Sequence, residues 1–216
     1  MDIEDLIPVE DCVITLTHYG YLKRQTLDAY RTQRRGGRGV SGMTRRDEDF
    51  VEELFTCSTH DYVLFFTNRG RMYRLKAYEI AESSRTGRGM NVVNLLPIEK
   101  EEKVTAMIRV DEMDEESFLV MVTRGGTIKR TQLSAYRNIR KGGIIAITLE
   151  EGDELAWVQR TSGSDELIIA TQKGMAIRFA ETDLRPVGRN AMGVRAVRLE
   201  EDDQVVGMAK AAEGGT

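Results

Sequence analysis

Apolar residues recur along the chain in short runs, each of which leads into a turn that ends in glycine. Runs that alternate or are continuously apolar, and that turn residues bound, predict β-strands rather than amphipathic helices. The four runs are CVITLTHYG, YVLFFTNRG, FLVMVTRGG and LIIATQKG, which end at Gly20, Gly70, Gly126 and Gly174. Successive glycines lie 50, 56 and 48 residues apart, so the chain contains four copies of one strand-rich unit.

The copies agree beyond this glycine turn. Each copy has an arginine four residues after the first glycine. A second glycine follows 17 to 19 residues after the first glycine. The arginines are Arg24, Arg74, Arg130 and Arg178, and the second glycines are Gly39, Gly89, Gly143 and Gly193. The second glycine precedes another predicted strand (VSGM, MNVVNLL, IIAITL or VRAVRL), and an acidic turn and a last strand close the unit. We find no helical periodicity long enough to pack against a sheet.

About four short strands per unit predict an all-β, propeller-like fold built from four-stranded antiparallel blades, each packing on the next. We expect a single domain over residues 1–216, with blades at about 11–57, 61–109, 117–160 and 165–209. Four blades are at the small end of known propellers. That number and the unpatterned ending AAEGGT indicate a fragment of a longer polypeptide.

Composition narrows the class of protein. Hydrophobic residues make up 41% and charged residues 31% of the chain, as in ordinary folded proteins. The longest apolar run, residues 62–66, is too short to span a membrane, and the acidic residues Asp2, Glu4 and Asp5 do not fit the basic start of a signal peptide. We therefore expect a cytoplasmic protein.

The two cysteines lie 45 residues apart without a CxxC motif, which argues against a disulfide framework and against a zinc ribbon. We interpret Cys12 and Cys57 as buried apolar residues. A weaker alternative is a zinc site, because Cys57 and His60 form a CxxH motif to which Cys12 and His18 would add two ligands.

The sequence contains no convincing nucleotide-binding or catalytic motif. A GxGxxG pattern occurs at Gly37, Gly39 and Gly42, but it follows an arginine-rich segment instead of a hydrophobic strand, and no amphipathic helix follows it. The sequence has no GxxxxGK[ST] motif, and neither histidine has the spaced partners of a catalytic triad. We expect no catalytic residue and no metal or cofactor site in this chain.

Charge is unevenly distributed, although the formal net charge is only -4. Residues 29–46 contain six arginines and no acidic residue, whereas acidic residues crowd into the late turn of each copy, at 47–49, 99–102, 150–154 and 200–203. Because these segments occupy fixed phases of a repeat, a blade assembly would gather the positive charge on one edge. The pattern favours a functional basic rim over ordinary solvated faces.

The most concentrated basic stretch is QRRGGRG, residues 33–39. Arginine offers a planar fork of donors that suits phosphate oxygens, and glycine allows a loop backbone to approach another polymer closely. We interpret this stretch as a phosphate-binding loop, with weaker echoes in SRTGRG (84–89), RKGG (140–143) and GRNAMG (188–193). The candidate DNA-binding residues are Gln33, Arg34, Arg35, Gly36, Gly37, Arg38, Gly39, Arg45, Arg46, Arg74, Arg85, Arg88, Lys129, Arg130, Arg140 and Lys141.

QRRGGRG is similar to the box motif of the C-terminal domain of DNA gyrase A, and the flanking segments resemble the same family over nearly the whole chain. These segments are FVEELF, THDYVLFFTNRGRMYRLKAYEI, RTGRGMNVVNLLP and ATQKGMAIRF. The resemblance implies a β-pinwheel that wraps duplex DNA around a positive perimeter. The family usually has six blades where four repeats are visible here. The corresponding domain of topoisomerase IV shares the fold but usually lacks an intact box.

The resemblance also implies a function and partners. The chain would bind and wrap double-stranded DNA, and it would support ATP-dependent negative supercoiling together with the rest of gyrase A and with gyrase B in a heterotetramer. It would not be an enzyme on its own, since the catalytic residues and the use of ATP and Mg belong to other parts of gyrase in the bacterial cytoplasm, close to the nucleoid. Two alternatives stay open: a propeller-like module that binds an acidic protein, and the equivalent domain of topoisomerase IV.

Overall fold

The computed structural model describes residues 1–36, 48–84 and 86–211, with the backbone alone at Arg34 and Gly36, and most of its regular structure is β. The strands are β1 (Asp11–Thr17), β2 (Tyr21–Thr26), β3 (Val51–Ser58), β4 (Tyr62–Thr67), β5 (Arg71–Lys76), β6 (Met90–Asn91), β7 (Val104–Val110), β8 (Phe118–Thr123), β9 (Thr127–Gln132), β10 (Ile144–Ile145), β11 (Leu155–Thr161), β12 (Glu166–Thr171), β13 (Ala176–Ala180), β14 (Val194–Arg195) and β15 (Val205–Lys210). Helix α1 spans Leu27–Gly36, and short 3-10 helices lie at Ile3–Leu6, Ala77–Glu79, Val92–Asn94, Leu133–Tyr136 and Glu181–Asp183.

The strands form four sheets, which confirms the all-β prediction. Sheet 1 has the order β3-β1-β2-β6, sheet 2 the order β10-β5-β4-β7, and sheet 3 the order β11-β8-β9-β14. Sheet 4 has the order β13-β12-β15, with three strands among the described residues instead of the four predicted. Each of the four apolar runs that end in a glycine turn supplies an inner strand: β1, β4, β8 or β12.

By the density of contacts, the chain divides into two compact units. Unit 1 comprises residues 1–64, 74–98 and 109–112, and unit 2 comprises residues 65–73, 99–108 and 113–216. Sheet 1 lies in unit 1, whereas sheets 3 and 4 lie in unit 2. The division passes along three strands of sheet 2, β4, β5 and β7.

Burial explains why the inner strands are continuously apolar. In β1, residues 12–16 are buried in succession, so this strand is covered on both faces. In unit 2, apolar side chains of sheets 3 and 4 form one core. That core contains Val120, Val122, Ile128, Leu167, Ile169, Val197, Val205 and Met208. A face of one sheet is thus removed from water by the next sheet, as the repeat predicted for stacked blades.

The strand predicted after the second glycine is much shorter than expected, and it completes the sheet of the preceding repeat. Met90 and Asn91 pair with β2 of the first repeat, while the following residues turn into a 3-10 helix. Strands β10 and β14 pair in the same way with β5 and β9, and the VSGM segment of the first repeat lies outside the described residues. This pairing requires a residue without a side chain at Gly89. Its φ is +88°, and a Cβ atom there would lie 2.4 Å from the Leu22 carbonyl oxygen.

Helix α1 corrects the prediction that the chain has no packing helix. The Thr26 hydroxyl accepts a hydrogen bond from the Ala29 amide at 3.1 Å, which caps the first turn. Asp28 adds a negative charge at the positive end of the helix. The helix contacts β1 and β2, so tertiary packing supports a sequence with few apolar positions.

Candidate nucleic-acid interface

The first half of the QRRGGRG motif lies at the end of helix α1 instead of in a loop. The prediction of a loop is therefore wrong for residues 33–36, because the helix capped at Thr26 continues through them. Gly37, Arg38, Gly39, Arg45, Arg46 and Arg85 lie outside the described residues, as does the side chain of Arg34. In unit 1 the candidate residues with described side chains are therefore Gln33, Arg35, Arg74 and Arg88.

Helix α1 presents its polar end to solvent while it stays joined to sheet 1. The Gln33 side chain is exposed, and its Oε1 accepts a hydrogen bond of 3.2 Å from Nε2 of the buried Gln25 on β2. Arg35 is also exposed. The motif thus carries accessible donors on an element whose position the sheet determines.

Arg88, from the first echo of the motif, lies on the same unit. Its guanidinium carbon is 5.0 Å from the centroid of the Tyr21 ring, close enough for a cation–π contact, and the side chain is exposed. Gln33 and Arg88 both line a cavity of about 510 Å³ to which Lys23 and Asp49 contribute charges of opposite sign. The structure therefore brings the motif and its first echo together.

In unit 2 the RKGG echo forms an exposed turn. The Gly143 amide donates a hydrogen bond of 2.9 Å to the Arg140 carbonyl, which closes the turn between the 3-10 helix Leu133–Tyr136 and β10. Arg140 and Lys141 are both exposed. Their positive charges are available to an external anion.

Lys129 and Arg130 do not belong to this surface, which corrects the prediction for both. Lys129 is 1% exposed, and its ammonium donates hydrogen bonds to the Ala146 carbonyl at 2.6 Å and to the Arg189 carbonyl. Burial, with a smaller contribution from the charge of Arg189, lowers the pKa of Lys129 to about 7. Arg130 is 7% exposed and pairs with the buried Glu181 at 3.1 Å. Both cations therefore act inside the protein.

The arginine that follows each first glycine by four residues contacts other groups of the protein in every repeat. Arg24 donates to the Ile80 carbonyl at 2.6 Å, and Arg178 pairs with the carboxylate of Glu166. The half-buried Arg74 lies over the Tyr62 ring at 4.5 Å, so its side chain is engaged within unit 1. The shared spacing of these arginines reflects their common place on the second strand of each repeat.

The zinc alternative has no geometric support. Cys12 and Cys57 are buried opposite one another on β1 and β3 with their sulfurs 3.7 Å apart, but His18 Nδ1 contacts Glu52 and His60 Nε2 contacts the Ile7 carbonyl. No three histidine, cysteine or acidic residues in the described parts of the chain are grouped closely enough to bind a metal.

In the described parts of the chain, no helix has the length and apolar character of a membrane span.

Comparison with known proteins agrees with the repeat pattern. The family model of the DNA gyrase C-terminal domain, a β-propeller, matches residues 13–58, 61–111, 117–162 and 165–212. The chain belongs to the DNA gyrase C-terminal domain family. This membership confirms the resemblance inferred from the motif and the propeller-like fold class.

Relatives of the DNA gyrase C-terminal domain family cover the chain almost completely. The DNA gyrase A protein of Clostridium acetobutylicum is 58% identical over 195 residues, which are 90% of this chain and 24% of that protein. The chain thus spans about a quarter of the length of the curated relatives that it matches.

Solved structures of the same fold are more distant in sequence. The crystal structure of a topoisomerase IV C-terminal domain superposes with a TM-score of 0.80 at 27% identity, over 96% of this chain and 63% of that one. A gyrase A C-terminal domain superposes with a TM-score of 0.71 at 25% identity, over 93% of this chain and 65% of that one.

Proposed function

We propose that this chain is the part of DNA gyrase A that binds and wraps duplex DNA. The observation that carries the proposal is the 58% identity to a DNA gyrase A protein over nearly the whole chain. The exposed cations Arg35, Arg88, Arg140 and Lys141 add a physical basis, because these side chains can reach phosphate oxygens without breaking an internal contact of the core.

Binding is expected to depend on backbone phosphates and to have little sequence preference. Guanidinium and ammonium groups that neutralise phosphates release counterions from DNA, which supplies affinity for any sequence. Bending the duplex costs elastic energy, and additional phosphate contacts along the bent path offset it. The chain would therefore wrap DNA through many weak contacts instead of a few base-specific ones.

The domain would act as one part of a larger enzyme. In the proposed complex, the remainder of gyrase A together with gyrase B supplies the catalytic residues and the ATP- and Mg-dependent steps, and wrapping by this chain sets the sign of the supercoils. Isolated, the chain would bind DNA without cleaving it. We place the complex in the bacterial cytoplasm.

A pair of charge-matched variants tests the phosphate contacts. Arg88→Gln with Arg140→Gln removes two exposed cations of the glycine-led segments. Arg69→Gln with Lys173→Gln removes two cations that pair with Glu99 and Glu200 in the acidic turns, at 2.8 and 3.0 Å. We expect the first pair of substitutions to weaken duplex binding. It should also lower the slope of the logarithm of the binding constant against the logarithm of the salt concentration, by about 0.9 in magnitude per lost contact. Equal effects of the two pairs would contradict the assignment.

Salt and topology provide the remaining tests. If the intact chain contacts six to ten phosphates, its affinity should fall by roughly 10³ to 10⁵ between about 50 and 200 mM salt. Ligation of nicked circular DNA in the presence of the chain should change the linking number of the closed product. DNA affinity without any linking-number change would leave binding intact and refute wrapping.

A further inference from the structure

Unit 2 contains a cavity of about 520 Å³ whose charged lining is entirely positive. Arg71, Arg140 and Arg189 line it together with Asn138 and Asn190. The described lining includes no carboxylate. We call this site the arginine cavity. Of the residues that line it, Arg140 is the one named as a candidate DNA-binding residue from the sequence, and Arg189 and Asn190 belong to the GRNAMG echo.

Within the described residues, the three arginines lack the counter-charges that other arginines of unit 2 have. Arg124 pairs with Glu154 at 3.4 Å, and Arg160 pairs with Asp114 at 2.9 Å. Among residues 1–36, 48–84 and 86–211, no ion pair joins Arg71, Arg140 or Arg189 to a carboxylate. The chain has 35 acidic residues against 31 lysines and arginines, so acidic partners are plentiful. Three cations that share a cavity repel one another, and an entering anion would relieve that repulsion.

The cavity is built around a fixed guanidinium. Arg71 Nη2 donates to the Gly142 carbonyl at 2.8 Å, and its guanidinium carbon lies 6.0 Å from the Tyr73 ring centroid. The Tyr73 hydroxyl in turn donates to the buried Glu102 at 3.3 Å. Gly143, with a φ of +80°, lets the turn press against the ring, because a Cβ atom there would lie 2.5 Å from it.

A buried cluster joins two of the segments that line the cavity. The Tyr136 hydroxyl donates to the Ala146 carbonyl at 2.9 Å, and the Lys129 ammonium donates to the same carbonyl at 2.6 Å. Lys129 also donates to the carbonyl of Arg189, one of the residues that line the cavity. The arginines therefore extend from backbone that internal hydrogen bonds hold in place, which reduces the entropy lost when a ligand binds.

We propose that the arginine cavity is a phosphate-binding site. Planar guanidinium forks and amide donors match the oxygens of a phosphate group, and a dense positive lining without carboxylates favours a multiply charged anion. The phosphate comes either from the DNA backbone, in which case the inference rests on the proposed function, or from a free polyphosphate. In both cases Arg71 and Arg189 contact phosphate alongside Arg140.

Calorimetric titration with inorganic pyrophosphate tests the site without DNA. We expect saturable binding to the intact chain that Arg71→Gln with Arg189→Gln weakens roughly tenfold or more, since charge-assisted hydrogen bonds are lost. Arg124→Gln with Arg160→Gln removes the same charge from paired arginines and should leave this binding unchanged. Far-ultraviolet circular dichroism checks that each variant is folded, because the Arg124 guanidinium lies 5.5 Å from the Trp157 ring centroid and its removal would itself change the tryptophan fluorescence. Arg189→Gln alone serves if the double variant does not fold.

Duplex DNA distinguishes the two sources of the phosphate. A loss of DNA affinity confined to the cavity variants supports a backbone phosphate as the ligand. Pyrophosphate binding that the cavity variants abolish, with no change in their DNA affinity, supports a free polyphosphate. If the intact chain does not bind DNA but does bind pyrophosphate, the proposed function fails and the site stands. The absence of saturable pyrophosphate binding, with DNA affinity equal in both variant pairs, overturns the site.

Discussion

Replacing Lys129 with methionine should remove a pH dependence from the folding stability of this protein. Burial, and secondarily the charge of Arg189, lowers the pKa of the folded-state ammonium from 10.5 to about 7. In the unfolded chain the pKa returns to about 10.4. Between these values the unfolded state binds more protons than the folded state, so stability must rise with pH. Below the folded-state pKa, Lys129 is protonated in both states, and its contribution to the free energy of unfolding no longer changes with pH.

The size of the effect follows from the two pKa values. From about pH 7 to about pH 8, the folded-state lysine falls from half to about one-tenth protonated while the unfolded-state lysine stays charged. Integrating the proton difference gives a gain of about 1 kcal/mol in the free energy of unfolding. The slope approaches about 1.4 kcal/mol per pH unit above that range. The exposed fraction of 1% justifies using this shift without a discount for solvent screening.

Urea unfolding monitored by Trp157 measures this difference. Trp157 is the only tryptophan in the sequence, and it packs against the core of unit 2, the unit that also contains Lys129. The pH slope of Lys129→Met is subtracted from that of the parent chain, which cancels the titration of the cysteines and of other shared groups. The exposed Lys141→Met is the matched control and should keep the parent slope. Parallel pH profiles for the parent chain and Lys129→Met would refute the reasoning.

Three further predictions concern stability and redox chemistry. Gly89→Ala should lower the free energy of unfolding by more than about 1 kcal/mol in urea titrations, because its backbone has a positive φ and its Cβ would collide with a carbonyl of β2. Glu181→Gln should cost about 3–5 kcal/mol in the same assay, because it leaves the buried Arg130 charge without its counter-ion. Hydrogen peroxide should join Cys12 to Cys57 in a disulfide, with the peroxide reduced to water, because their sulfurs are 3.7 Å apart on paired strands. Thiol alkylation followed by mass spectrometry should show the paired loss of both thiols, and unchanged thiols would contradict the prediction.

The sequence predicts the inner strands correctly because burial on both faces requires a continuous apolar run. It does not reveal helix α1, whose residues are mostly polar and whose stability depends on the Thr26 cap and on packing against sheet 1. The sequence also does not reveal that a short strand of one repeat pairs with the sheet of the preceding repeat. Two-residue strands such as β6 carry almost no periodic signal, and their partner lies about 70 residues earlier in the chain.

Prediction of the site meets a similar limit. An arginine on a strand looks the same in sequence whether it faces solvent or pairs inside the protein, and the partner of Arg130 is 51 residues away. The recurrence of an arginine at the position of Arg130 reflects a shared place on the second strand of each repeat, and it carries no information about exposure. No motif pointed to Arg71, and Arg189 lies in the weak GRNAMG echo without having been singled out as a DNA-binding residue. Their common cavity depends on three separate segments of unit 2.

An acidic protein can bind a polyanion if its negative charges are neutralised by ion pairs, or if they lie farther from the bound polyanion than the electrostatic screening length. At physiological salt that distance is about 8 Å, so DNA bound in the proposed way would respond to the nearby residues and not to the net charge of -4. In the acidic turns, ion pairs such as Arg69–Glu99 and Lys173–Glu200 already balance part of the charge. The exposed cations of the glycine-led segments, Arg88 and Arg140, have no such ion pair among the described residues. In duplex-binding titrations, Arg88→Glu with Arg140→Glu should therefore weaken binding far more than Arg69→Glu with Lys173→Glu, which changes the net charge by the same amount in the acidic turns. Equal losses of affinity would contradict this argument.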